Sequence, residues 1–100
     1  MINGDAKEFI DGLYYGDERF FYFEGYKYFI QGYYVEEKPM LEMYVLEPAD
    51  SNFEWRAISD NKSYPVSEFE NAAVFNGKAF WQVEQKIEWV DCQPAKMLFR

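Results

Sequence analysis

Two pairs of carboxylates, Glu36-Glu37 and Glu84/Glu88, come nearest to general acid–base chemistry in this 100-residue chain. Glycoside hydrolysis needs two carboxyl groups about 5–9 Å apart around one bond. Adjacent strand residues point to opposite faces, so Glu36 and Glu37 do not converge, and no other polar groups are placed around Glu84 and Glu88. The chain has no histidine, which removes Ser-His-Asp and Cys-His catalysis, imidazole metal sites and the usual base at neutral pH. Cys92 is the single cysteine, which excludes an internal disulfide, a metal ribbon and CxxC redox chemistry. Neither ADSN (49–52) nor SDNKS (59–63) completes a calcium loop, and GDERFF and EGYKYF lack the spacing and Lys-Ser pair of a phosphate loop. The expectation is a protein that is not an enzyme, has no catalytic or metal residues and carries no cofactor. The four glutamates are read instead as an acidic partner-binding surface.

The net charge is −8, yet QPAKMLFR at the end carries two of the ten basic groups and no acid. Up to Cys92, 18 acids face 8 bases. That field repels nucleic acid, whose phosphates need Lys and Arg, and attracts and steers a protein with a basic surface. EGYKYFIQ has the alternating rings of an RNA-recognition strand but the wrong glycine spacing and acidic surroundings, so direct nucleic-acid binding is not expected. Sugar stacking on exposed rings is a further option. No apolar stretch approaches the roughly 18 residues of a membrane span, and MINGDAKEF has no basic-then-apolar leader. A reducing cytoplasm is the expected location.

These side chains need a frame. Asp5 followed by Glu8 offers a capping box for a short helix over about 5–14, stopped by Gly16. The stretch 16–34 holds nine aromatic residues and predicts a hairpin turning at Glu24-Gly25, with Phe23 opposite Tyr26 and Phe21 opposite Tyr28. In 40–47 and 52–59, Leu41, Met43, Val45, Phe53, Trp55 and Ala57 alternate with polar residues. Pairing Val45 with Phe53 sets Glu42 against Arg56; a one-residue slip would bury Glu42 and Glu54. Tyr34 is expected near Leu41. Ser67 can cap a helix over SEFENAA, and a last helix is expected from about Lys78 to Val90. The fold class is α+β in two layers: an N-terminal helix, a four-stranded antiparallel meander and two C-terminal helices on one sheet face. Residues 1–92 form one domain and 93–100 a C-terminal tail.

In that arrangement Phe20, Tyr22, Phe29, Tyr33 and Tyr44 occupy the uncovered sheet face, a patch that suits a homodimer or another protein. Cover by the tail is the intramolecular alternative. A helix reaching residue 89 turns Trp89 away from the core as a further contact residue.

EFIDGLYYGDERFFYFEGYKYFIQGYY and NAAVFNGKAFWQVEQKIEWVD together resemble small uncharacterised acidic proteins of Gram-positive bacteria, often encoded beside mobile-element genes. The resemblance brings no catalytic motif and implies no activity. Its setting implies proteins that block host defence enzymes, including DNA mimics that fill a basic channel. The expected function is a non-enzymatic acidic interaction domain, an inhibitor or DNA mimic of a host defence nuclease carried by a mobile element. The alternatives are an immunity or antitoxin-like protein, or a small-molecule or sugar-binding module.

Overall fold

The computed structural model describes residues 1–90. The expected tail 93–100, its cover of the sheet and Cys92 lie outside the described residues.

Helix α1 (Ala6–Leu13) begins where the Asp5 carboxylate accepts the Lys7 N–H at 2.8 Å, one residue earlier than a capping box uses. Phe9, Ile10 and Leu13 form its buried face. The chain then turns through Gly16 (φ 72°) into β1 (Arg19–Phe23) and β2 (Tyr26–Val35). Their hairpin keeps the register read from Glu24-Gly25, Phe23 on Tyr26, Phe21 on Tyr28 and Phe20 on Phe29. Both turn residues have positive φ, the geometry that matches strand twist.

Strand β3 (Lys38–Glu47) pairs with β2, and β4 (Glu54–Ile58) pairs with β3. Glu42 faces Arg56 and Met43 faces Trp55, as the charge and burial pattern requires. The β2–β3 register differs by two residues from expectation: Tyr34 meets Pro39, and Gly32 meets Leu41. The connection is the tight Glu36-Glu37 turn, which lets β3 begin at Lys38. A shift of two keeps every side chain on its face, so the core is unchanged.

Helix α2 (Val66–Asn71) starts two residues earlier than a Ser67 cap would place it, and its N-cap residue, Pro65, makes no side-chain cap bond. Next, Asn76 (φ 55°) and Gly77 (φ 80°) make a two-residue turn that Phe75 and Lys78 close with backbone bonds of 3.0 and 3.1 Å. This turn presents Phe75 to the core.

The expected long last helix is replaced by α3 (Phe80–Val83), a 3₁₀ turn (Glu84–Lys86) and β5 (Glu88–Val90). β5 pairs with β1, giving a five-stranded antiparallel sheet in the order β4-β3-β2-β1-β5. Burial explains the switch. A continuing helix would turn Trp89 outward, whereas the strand lays its ring 6.0 Å from Phe9, with the Arg19 guanidinium 4.9 Å above it. Backbone bonds of 2.8 Å from Ile2 to Ile87 and from Trp89 to Ile2 hold the far side of β5. Trp89, half-buried, therefore packs toward the core and does not stand outward as the helix reading expected.

All helices lie on one face. Between them and the sheet, Phe9, Phe21, Phe69, Phe75 and Phe80 are fully buried, with Ile30, Leu41 and Met43 beneath. Tyr28 belongs to this layer, and burial, followed by the charges of Tyr26 and Glu24, raises its phenol pKa. Tyr64 is raised in the same way, by burial and then Tyr34. An unfolded tyrosine ionises near 10. The folded chain keeps these protons to higher pH, so their contribution is complete below about pH 10 and falls as pH rises through that value. Urea midpoints measured from pH 8 to 11.5 are expected to drop above about pH 10, and Tyr28→Phe should flatten the drop. An unchanged slope in that variant would assign the effect to other groups.

Candidate functional site

The sequence-predicted residues divide into three groups. Glu84 and Glu88 do not form a helical acid pair. Glu84 opens the 3₁₀ turn and accepts the Met1 amino group at 2.6 Å. Glu88 lies on β5 and accepts Asn3 Nδ2 at 3.1 Å. Each is tied to the N-terminal segment, so neither offers an open carboxylate pair.

The outer sheet face holds Phe20, Tyr22, Phe29, Tyr33 and Tyr44 as the alternation requires. Their exposure is lower than an open patch would give. Phe29 sits between Phe20 (ring centroids 4.8 Å) and Tyr44 (5.5 Å) and is only 8% exposed. Lys27 Nζ lies 5.5 Å over the Phe20 ring. Tyr33 is the exposed ring of the set; its hydroxyl donates to Glu42 at 3.1 Å. Arg56 bridges Glu42 (3.1 Å) and Glu54 on the same face. Its hydrogen bond holds the Glu54 carboxyl below the usual carboxylate range, with Glu42 adding to the effect. One guanidinium thus offsets part of the charge of two carboxylates on this face.

Glu36 and Glu37 form the third group. Both are exposed, and they are the two central residues of the β2–β3 turn, at φ 51° and 71°. Left-handed backbone at non-glycine residues is strained, and Asn-Gly is the favoured pair for such a turn. Here the chain spends that strain on two acids at the tip of its longest hairpin.

Toward the end of β2, beside Gly32 and Tyr34, lies a set of tyrosines that alternation on the sheet did not single out. Tyr34 is 58% exposed and meets the Tyr64 ring at 5.8 Å. Tyr64 packs over Gly16 and Gly32, whose backbones are joined by a 3.2 Å hydrogen bond. Tyr14 and Tyr64 line a cleft of about 210 Å³ with Ser63 and Glu68. Tyr15, beside Tyr14 at the end of α1, is 80% exposed. Lys38 at the tip reaches Asp60 at 3.5 Å. The sequence signal was the YYG of residues 14–16 and the GYYVEE of residues 32–37: doubled tyrosines beside glycine and acids. Doubling puts one ring on each side of a strand or past a helix end, and all four of these rings are exposed.

Trp81 is the exposed tryptophan, its Nε1 donating to Glu70 at 2.8 Å. Among the described residues no group of His, Cys, Asp and Glu could hold a metal ion, and no helix is long and apolar enough to cross a membrane. Comparison with protein families, curated proteins and solved structures finds no match to this chain.

Proposed function

We propose that this protein is a non-enzymatic interaction domain that binds a basic protein surface through the tyrosine-and-acid end of the molecule. The observation that carries the reading is the Glu36-Glu37 turn: two exposed carboxylates held in a backbone conformation that glycine would adopt more easily. Strain retained at exposed residues points to use. Tyr34, Tyr64, Tyr14 and Tyr15 supply the rigid amphipathic rings that dominate protein contacts. The net charge of −8 supplies long-range attraction for Lys and Arg, and each such cation can stack on a tyrosine face. The class of partner is a protein with a cationic groove, such as the nucleic-acid channel of a defence nuclease, which the protein would inhibit. A cognate toxin would fit the same chemistry. A cytoplasmic setting and a bacterial mobile element belong to this proposal.

The test is affinity capture followed by surface plasmon resonance on the captured partner. Glu36→Lys with Glu37→Lys should slow association by about tenfold and leave dissociation nearly unchanged, because exposed charges act on the encounter. Tyr34→Ala should instead speed dissociation. Raising salt to about 0.5 M should weaken binding strongly. A salt-independent complex that survives all three substitutions would overturn the reading.

A further inference from the structure

The two edges of the sheet are not alike. β5 is held on its outer side by Ile2, whereas among the described residues no strand pairs with the outer side of β4. The Ser59 N–H donates to Pro39 O at 2.9 Å. Hydrogen-bonding direction alternates along an antiparallel strand, so Trp55 and Ala57 also turn their backbone groups toward β3. Glu54, Arg56 and Ile58 therefore direct their N–H and C=O groups outward.

Unpaired edges recruit other strands unless side chains prevent it, and charges are the usual deterrent. On β4 the charges have opposite signs and stand two residues apart. We propose that β4 pairs antiparallel with β4 of a second copy, about a twofold axis through Trp55, to give a continuous ten-stranded sheet. In that register Glu54 lies opposite Arg56 of the second copy, and the pair occurs twice by symmetry. Both residues present outward backbone groups, so each pair also exchanges two backbone hydrogen bonds. A twofold at Arg56 would oppose two arginines, and one at Glu54 would oppose two glutamates. Of these registers only the one at Trp55 sets opposite charges against each other across the seam. Trp55, half-buried and 5.7 Å from Phe69, faces its own copy in the closer, non-hydrogen-bonded pair. Across the seam Glu42, Arg56 and Glu54 of the second copy form one row of alternating charge. Glu36 and Glu37 take no part, so this inference stands apart from the partner site.

Sedimentation velocity over a concentration series tests the proposal. Wild-type protein should show a monomer–dimer equilibrium. Glu54→Lys alone and Arg56→Glu alone each place like charges at both seam pairs and should weaken dimerisation by about tenfold or more. An equimolar mixture of the two variants should restore it, because each seam pair then joins opposite charges. Glu54→Pro removes an outward N–H that β3 does not use, at the first residue of the strand where proline is tolerated. It should keep the circular dichroism of the folded chain and lose the dimer. A wild-type monomer at every concentration, a dimer that survives Glu54→Pro, or a mixture that stays monomeric would overturn the proposal.

Discussion

Replacing Phe75 with alanine is expected to lower the unfolding free energy by about 3–5 kcal/mol, the largest single loss on the core face. Its ring is fully buried and lies between 5.3 and 6.4 Å from the rings of Phe21, Phe23, Tyr28, Phe69 and Phe80. These partners come from β1, β2, α2 and α3, so no one element can move in to fill the hole. Removing the ring forfeits transfer energy and leaves a cavity whose lining loses its dispersion contacts. A domain of this size has about 5–15 kcal/mol of stability in total. Urea titration should therefore show a sharply lowered midpoint, or a chain unfolded without denaturant. Phe20→Ala, on the half-buried outer face, should lose much less. Equal losses at the two positions would mean that the outer face is packed as tightly as the core.

Gly32→Ala should destabilise by about 1–3 kcal/mol, although strand propensity alone gives the opposite sign. Glycine inside a strand is unfavourable, and alanine would recover some of that loss. The surroundings decide against it. A Cβ on Gly32 would lie 2.6 Å from the Tyr64 ring and 2.7 Å from the Gly16 Cα. Tyr64 is packed against Tyr34, and Gly16 is main chain, held by its carbonyl to Gly32 N at 3.2 Å and by its own N–H to Leu13 O at 3.1 Å. Both neighbours must shift, and the backbone bond between Gly16 and Gly32 is lost. The same change should displace Tyr64 and Tyr34. Denaturation and the aromatic NMR resonances read the two effects. A stabilised variant with unmoved Tyr64 signals would refute this account of the approach.

What the sequence determined was everything that local periodicity and turn chemistry carry. Asp5 and Gly16 bound the first helix, Glu24-Gly25 fixed the first hairpin, and the alternation in 40–47 and 52–59 set Glu42 against Arg56. A slip of one residue would reverse inside and outside, so one register was far below the others in energy. Tertiary structure decided three other things. It made Glu88–Val90 a strand, because a free side of β1 and the pocket between Phe9 and Arg19 outweighed a weak helical preference. It closed Phe29 between its neighbours, since ring-on-ring packing depends on cross-strand distance and not on alternation. And it gathered Tyr14, Tyr34 and Tyr64 at one place, through the close approach of Gly16 to Gly32, a contact between residues sixteen positions apart that no local pattern records.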